Sequence, residues 1–204
     1  MRFLTEEEEK QLRDTIRANS AWSEHEPKMD LAMNTGLRRS SMYKNLVWEN
    51  VNWKARVVTV PITKNGDPVH VPLNDLAMRA MRIFLFRGGF ASEKDATGRV
   101  VRNLAGETLN VNAHWFVPAV RAAGLKNFHF HDLRHTYANR LRQTGTPLGN
   151  LAELLGHRHL EMSQRYAHLS ISNLPEAVAR IEKPGKPTDT TTDTSTPETF
   201  ATLQ

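Results

Sequence analysis

The most regular pattern of apolar residues in the chain lies between Leu73 and Phe86. Apolar side chains recur there at spacings of three and four residues, which is typical of a helix that packs one broad face on a core. They are Leu76, Met78, Ala80, Met81, Phe84 and Leu85. Asn74 precedes the run as a suitable N-cap, and Gly88-Gly89 follows it. The pattern therefore predicts a core helix that ends at about Phe86.

Further helices are predicted by their end signals rather than by strong periodicity. Thr5 and, three residues later, Glu8 form a capping box at the start of a helix over residues 6–18. Pro118 predicts a kink or a delayed start in a helix over residues 110–123. Glycines and caps bound the other segments, and the remaining predicted helices cover residues 29–35, 132–144, 151–155 and 173–182. Residues 20–28 are polar and are predicted to form a loop.

Three short segments are rich in β-branched residues and predict strands at residues 51–53, 56–62 and 68–72. The Asn65-Gly66 pair between the second and third segments is a strong signal for a tight hairpin turn. Pro61 and Pro72 lie at strand ends, where a residue that cannot donate a hydrogen bond to a neighbouring strand is tolerated, and they favour a small sheet. The expected fold class is therefore mainly α with a small three-stranded antiparallel β-sheet.

Composition limits the class of protein. The 204 residues include no cysteine, which excludes a disulfide framework and a thiolate metal site. No apolar run approaches the ~18 residues of a membrane span. The N-terminal residues lack the apolar core of a secretory signal. We therefore expect a soluble, cytoplasmic protein without a membrane partner.

The distribution of charge favours a polyanionic partner. The formal net charge is +5, from 27 basic and 22 acidic side chains. Residues 184–204 contain one lysine and three acidic residues, a net charge of −2, so the rest of the chain carries +7. The same segment is rich in Thr, Pro and Asp and is predicted to be a disordered polar tail. The positive charge of residues 1–183 suits binding to nucleic acid, but many basic proteins bind none, so charge alone does not identify the partner.

Four side chains in the last third of the chain could converge on one phosphate: His131, Arg134, His157 and Tyr166. His131 and Arg134 are three residues apart at the start of the predicted helix 132–144, so they project from the same face. A helix N-terminus favours an anion, and a guanidinium adds donors that match phosphate oxygens. A tyrosine hydroxyl beside such groups is a candidate nucleophile for a phosphodiester.

These residues lie in motifs that resemble the tyrosine recombinase (phage integrase) family. HDLRHT, LLGH and RYAH occur in the family's order and spacing, and TGLRRS resembles its first arginine motif. The hairpin sequence ITKNGDPVHVPL contains the lysine that matches the family's catalytic lysine. The resemblance covers about residues 4–181 and implies the tyrosine recombinase catalytic-domain fold for residues 1–183. The catalytic residues that it implies are Arg38, Lys64, His131, Arg134, His157 and Tyr166.

The resemblance implies a site-specific DNA recombinase that integrates or excises a mobile element. In the family pattern, His131 accepts the proton of Tyr166, which attacks phosphorus and forms a 3′-phosphotyrosyl link. Lys64 protonates the leaving 5′-oxygen. The remaining residues, Arg38, Arg134 and His157, stabilise the charge on the phosphate. Because the link conserves the bond energy and the arginines supply positive charge, no metal, cofactor or ATP is expected.

Three neighbouring residues have other expected roles. His135, beside Arg134, belongs to the motif and is expected to hold the site together rather than to react. His129 is expected to be structural or exposed. Ser41 departs from the family, because many members carry an acidic residue at this position. The sequence therefore lacks one carboxylate that supports the active-site groups in many members, while the groups themselves are present.

The resemblance also implies partners. They are double-stranded DNA with attachment or recombination sites, other copies of the chain in a tetramer on DNA, and accessory DNA-bending proteins. A nucleoid-associated protein of a bacterium or phage is expected. Full-length members have an N-terminal helical domain that clamps DNA, and nothing corresponds to it before the motif at Arg38. We therefore expect weak affinity and weak site selectivity.

Two other functions compete with the recombinase. The first is a metal hydrolase built from a histidine cluster, although the spacing is poor for zinc and paired acids are lacking. Its ligands would be His129, His131, His135, His157 and His159. The second is a catalytically inactive DNA-binding regulator or accessory protein of the same fold, which would usually have lost one of the six catalytic residues. Relaxation of DNA, as by a type IB topoisomerase, is a side activity that similar chemistry would allow.

Overall fold

The structure is a computed structural model that describes residues 1–61, 68–109, 114–157 and 159–167. Within these residues the fold is mainly helical and contains one three-stranded antiparallel sheet, as predicted. The strands are β1 (Val51–Asn52), β2 (Val57–Val60) and β3 (Val69–Pro72). The α-helices are α1 (Glu6–Ala18), α2 (Glu26–Thr35), α3 (Asp75–Arg87), α4 (Phe116–Ala122), α5 (Asp132–Gln143), α6 (Leu148–Leu155) and α7 (Glu161–Gln164).

Helix α1 begins at the predicted capping box. The Thr5 hydroxyl accepts the Glu8 N–H, and the Glu8 carboxylate accepts the Thr5 N–H, both at 3.2 Å. These two bonds satisfy donors that a helix start leaves unpaired. The helix runs from Glu6 to Ala18, so its predicted bounds are confirmed. It buries Leu12 and Ile16 on its inner face.

Helix α2 begins earlier than predicted. A short 3₁₀ turn, Ser23–His25, leads directly into the helix at Glu26, so the predicted loop over residues 20–28 is wrong in its second half. Pro27 is tolerated because the first turn of a helix needs no N–H there, and Glu26 suits the helix dipole. The helix packs against α3 and α5, and nearly all of its side chains are buried.

The sheet has the order β1-β2-β3, with Val58 opposite Val71 and Val60 opposite Val69. These four valines are buried, which gives the sheet one face on the core. After β3, the Asn74 side chain accepts the Ala77 N–H at 2.9 Å and caps α3, as predicted. The predicted hairpin turn and Lys64 lie outside the described residues.

The later helices differ from the predictions mainly at their ends. Helix α4 begins at Phe116, which agrees with the delayed start and leaves Pro118 in the first turn. Helix α5 ends one residue early, at Gln143, and α6 begins at Leu148, three residues before its predicted start. Their predicted existence and order are confirmed.

Among the residues that the structure describes, two clusters of buried side chains form the core. The larger one joins α1, α2, α3, α4 and the sheet, and the smaller one contains Ala138, Leu151, Leu155 and Tyr166. The compact unit that includes all described residues is Met1–Ile171. The predicted helix 173–182, the boundary at residue 183 and the polar tail 184–204 lie outside the described residues. Within the described part, no helix is both long and apolar enough to cross a membrane.

A network of ion pairs fixes α5 relative to the N-terminal helices. The Arg13 guanidinium binds the carboxylates of Glu9, Glu26 and Asp30 at 2.6–2.8 Å. Arg140 of α5 also pairs with Glu9. The Arg13 side chain is only 16% exposed, so these pairs are screened less by water than surface pairs are.

We expect Arg13→Ala to lower the free energy of unfolding by about 3 kcal/mol, because three partly buried carboxylates would lose a shared partner. Urea denaturation followed by circular dichroism measures the change. The matched control is Lys10→Ala on the same helix, whose pair with Asp14 is exposed and should contribute nothing measurable. Equal effects of the two substitutions would contradict the importance of the buried network.

Candidate active site

The start of α5 is held in place from both sides. The Asp132 carboxylate accepts the His129 N–H at 2.7 Å and tightens the turn before the helix. One turn later, the Thr136 hydroxyl accepts the Leu4 N–H at 3.0 Å. His131 is therefore fixed at the N-cap position and Arg134 on the first turn. The His129 side chain is 78% exposed, in agreement with its expected place at the surface.

The guanidinium of Arg134 lies at the C-terminal ends of two other helices. Nη1 donates to the carbonyl of Gly36, just after α2, at 2.6 Å, and Nη2 donates to the carbonyl of Leu155, the last residue of α6. Carbonyls at helix ends lack intrahelical partners and carry the negative end of the dipole. They can therefore stabilise a cation that is only 5% exposed. Burial, followed by the charge of Arg38, lowers the Arg134 pKa to about 9, so it stays charged at neutral pH.

Both helix ends depend on a glycine with a positive φ. Gly36 has a φ of 62°, and a Cβ there would lie 2.4 Å from Cδ1 of Tyr137. Gly156 has a φ of 60°, and a Cβ there would lie 2.5 Å from Cγ2 of Val69. The left-handed conformation and the close packing both require glycine. The chain therefore turns sharply after α2 and α6 and leads directly into Arg38 and His157.

Arg38 lies close to Arg134 and to the histidines, whereas Arg39 is exposed. Burial is the largest cause that lowers the pKa of His131, Arg134 and His157, and the positive charge of Arg38 lowers each of them further. Arg38 and His131 also line one open cavity of about 410 Å³. Arg38 thus faces one cavity together with His131, the N-cap of α5, and a second, small cavity together with Arg134, which is an arrangement that can bind a phosphate.

Ser41 is buried on a π-helical turn, Ser41–Asn45, that follows Arg38. It lines a narrow cavity of about 10 Å³ together with Arg38 and Arg134. A neutral hydroxyl therefore stands where the family resemblance leads one to expect a carboxylate. The positive charge of the two arginines is not offset at this position.

His157 has a partner on each ring nitrogen. Nε2 lies 3.1 Å from Nη2 of Arg134, and Nδ1 lies 2.7 Å from Oγ of Ser163. Burial, followed by the charge of Arg134, lowers the His157 pKa to about 4. The imidazole is therefore neutral at physiological pH.

Tyr166 is buried in the smaller core cluster, with 1% of its surface exposed. Its N–H donates to the carbonyl of Ser163 at 2.9 Å, and its carbonyl accepts from Nε of Arg142 at 3.4 Å. Its hydroxyl lies 2.6 Å from Nδ1 of His135. Burial raises the Tyr166 pKa, so the hydroxyl is protonated at neutral pH.

The histidine in contact with Tyr166 is His135, whereas the sequence analysis assigned the acceptor role to His131. His131 instead packs edge-to-face against His135, with ring centroids 5.0 Å apart. Burial is the main cause that lowers the pKa of both histidines, to about 4 for His135. His135 therefore contacts the tyrosine as a neutral group, and His131, whose pKa is also lowered, packs against His135.

Five of the six predicted site residues lie in one region, namely Arg38, His131, Arg134, His157 and Tyr166, while Lys64 lies outside the described residues. Sequence analysis missed the contacts of His135 and Ser163. The spacing offered one signal for His135: it follows His131 by four residues and so lies on the same helical face. Spacing gave no comparable signal for Ser163.

Within the described ranges, no three His, Cys, Asp or Glu side chains are grouped so that they could hold a metal ion. The five histidines of the metal-hydrolase alternative therefore gain no support from their geometry. A cavity of about 780 Å³ is lined mainly by α3 residues and by the turn after β1, and it includes none of the predicted site residues.

Comparison with known proteins connects this site to one family. The sequence profile of the phage integrase family matches residues 2–172. The integrase of Salmonella phage P22 is 32% identical over 165 residues, which cover 76% of this chain and 41% of the relative. The tyrosine recombinase XerC of Pelobacter propionicus is 32% identical over 184 residues, which cover 86% of this chain and 54% of the relative. The chain thus spans about half the length of these curated relatives.

Solved structures give the same fold. The catalytic domain of bacteriophage HP1 integrase matches with a TM-score of 0.67 and 25% identity, over 91% of this chain and 99% of that domain. The Tn1549 transposon integrase, solved in complex with transposon right end DNA, matches with a TM-score of 0.72 and 19% identity, over 89% of this chain and 66% of that one. The fold is therefore that of a tyrosine recombinase catalytic domain, and the chain belongs to the phage integrase family.

Proposed function

We propose that this chain carries the strand-transfer chemistry of a site-specific DNA recombinase. The observation that carries the proposal is a hydrogen bond between the buried Tyr166 hydroxyl and His135, in a region where Arg38 and Arg134 act on the tyrosine through their charge and Arg134 contacts His157. A phosphodiester is the substrate that suits such a site, because it is an anion with an electrophilic centre. Membership of the family supports DNA as the source of that phosphodiester.

Arg38 and Arg134 bind the non-bridging oxygens of the scissile phosphate, and His157 donates a further hydrogen bond to it. Negative charge builds on these oxygens as the nucleophile approaches phosphorus. Arg134 is well suited to this task because two main-chain carbonyls hold its guanidinium in one orientation. Preorganised donors of this kind need not reorient during the reaction.

Tyr166 attacks phosphorus, the 5′-oxygen leaves, and a 3′-phosphotyrosyl link forms. We assign the phenolic proton to Nδ1 of His135, which lies 2.6 Å away, with His131 as the second candidate. In the free protein the His135 pKa is about 4 and the Tyr166 pKa is raised, so the proton stays on the tyrosine. A bound phosphate would raise the histidine pKa by offsetting the nearby positive charges. Lys64 remains the proposed proton donor to the 5′-oxygen.

The link conserves the energy of the broken bond, so a free 5′-hydroxyl can reverse the step on the same strand or on another one. ATP is not needed for that exchange, and the two arginines supply the positive charge that a metal ion would supply elsewhere. The biological outcome is integration or excision of a mobile element. The proposed partners are double-stranded DNA, further copies of the chain and accessory DNA-bending proteins.

The competing function is a DNA-binding regulator that has lost catalysis. The family's catalytic residues, Lys64 included, are all present in this sequence, which favours an active enzyme. Covalent attachment to DNA separates the two functions.

We expect Tyr166→Phe to abolish covalent attachment to DNA while binding stays within about twofold, because only the nucleophilic oxygen is removed. Nicked duplexes that carry candidate recombination sites are incubated with the protein in EDTA and resolved on a denaturing gel. Tyr137→Phe, one helix turn from Arg134, is the matched control and should keep attachment. Attachment that survives in Tyr166→Phe would remove this residue from the nucleophile role, and binding without attachment by the unmodified protein would favour the inactive regulator.

Arg134→Lys should lower the rate of attachment by about 10²–10³-fold, the usual effect of losing one oxyanion donor. A lysine keeps the charge but cannot bind Gly36, Leu155 and a phosphate oxygen in one planar arrangement. Single-turnover cleavage with the same nicked duplexes measures the rate. The control is Arg39→Lys, at the exposed arginine next to Arg38, which should change the cleavage rate little. Equal losses in both variants would contradict the special role of Arg134.

His135→Ala should lower the rate about 100-fold at pH 7, and the loss should shrink as the pH approaches 9. A larger fraction of Tyr166 is then ionised and needs no base. If His131→Ala lowers the cleavage rate by the same factor at every pH, His131 contacts the phosphate rather than acting as the base. His129→Ala, at an exposed histidine, should have no effect. Recovery at high pH in His131→Ala rather than in His135→Ala would return the base role to His131.

A further inference from the structure

Ser163 connects the histidine and the tyrosine of the site. Its hydroxyl lies 2.7 Å from Nδ1 of His157, and its carbonyl accepts the N–H of Tyr166 at 2.9 Å. Ser163 lies on α7 and is fully buried. The hydrogen bond made by one ring nitrogen of a histidine bears on the tautomer that the ring adopts, so the partner of Nδ1 matters for what Nε2 can do.

The partners of His157 determine its tautomer in the free protein. A guanidinium has only donors, so Nε2 of His157 must accept the hydrogen bond from Arg134. The neutral ring then carries its proton on Nδ1, and this N–H donates to the Ser163 hydroxyl. In this form the ring has no proton on the nitrogen that faces Arg134.

Binding of a phosphate requires the opposite tautomer. To donate a hydrogen bond to a phosphate oxygen, His157 must carry its proton on Nε2, and Nδ1 must then accept. A hydroxyl can satisfy both forms, because serine has one donor and two acceptor positions. An amide or a carboxylate on Nδ1 would favour one form over the other.

We propose that Ser163 is a positioning residue that lets His157 change from an acceptor for Arg134 to a donor for the scissile phosphate. His157 takes a proton from water at Nε2 and releases the Nδ1 proton to water, and the Ser163 hydroxyl rotates to donate to Nδ1. No bond between heavy atoms forms or breaks in this step. The inference rests on the proposed function, because it assigns a role in binding the same phosphate.

The ¹⁵N chemical shifts of the His157 ring, assigned with a His157→Gln variant, report its tautomer directly. In the free protein we expect the Nδ1–H form, and at saturating inorganic phosphate the Nε2–H form. In Ser163→Ala the free protein should keep the Nδ1–H form, because Arg134 still donates to Nε2, whereas phosphate should convert less of the ring to the Nε2–H form, because Nδ1 would then lack a donor. An Nε2–H form in the free protein would overturn the inference, as would an unchanged tautomer once phosphate shifts other resonances of the site.

Cleavage of nicked duplexes gives the second readout. Ser163→Ala should lower the rate about tenfold, the usual effect of one lost hydrogen bond. Ser163→Thr keeps the hydroxyl and should restore the rate, whereas Gln164→Ala, at the exposed neighbour on α7, should leave it unchanged. A rate in Ser163→Ala equal to that of the unmodified protein would contradict the positioning role.

Two further outcomes are distinguishable. If Ser163→Ala unfolds, the tautomer of the unmodified protein and of Ser163→Thr decides the question. If the unmodified protein attaches to no DNA, the proposed function fails, while the ring shifts still decide which hydrogen bonds His157 makes.

Discussion

The site depends on one interaction, the binding of the Arg134 guanidinium by carbonyls at the ends of α2 and α6. Burying a charge is costly unless hydrogen bonds and dipoles compensate for it, and two helix C-termini provide both. The same helix ends lead into Arg38 and His157. The residues that would bind a phosphate are therefore positioned by the backbone segments that stabilise the buried cation. Loss of this cation would disturb the anchor of the site as well as one of its donors.

The free protein holds its site in a resting state. Burial and neighbouring positive charges lower the pKa of His135 and His157 to about 4, and burial raises the pKa of Tyr166. The histidines are thus neutral and the tyrosine is protonated, so no strong nucleophile is exposed to water. An arriving phosphate would bring the negative charge that reverses these effects. Chemistry would then be coupled to the binding of substrate.

Sequence reasoning succeeded where the signal was local. The capping box at Thr5, the cap at Asn74 and the HxxR spacing of His131 and Arg134 all depend on residues three apart in one helix. It failed at the start of α2, because packing against α3 and α5 favours helix over the polar pattern of residues 20–28. It also missed the contact between His135 and Tyr166, since 31 residues separate the two in the chain. Long-range contacts of this kind depend on tertiary packing.

The same contacts connect the proposed nucleophile, Tyr166, to the residues proposed to bind the phosphate. Tyr166 is bound through its N–H to Ser163, Ser163 through its hydroxyl to His157, and His157 to Arg134. Hydrogen bonds thus connect the backbone of Tyr166, through Ser163 and His157, to the buried cation Arg134. A displacement of α7 would therefore move the tyrosine and release His157 from its partner together. Because both changes follow from the same bonds, the position of α7 would control both the nucleophile and a phosphate donor.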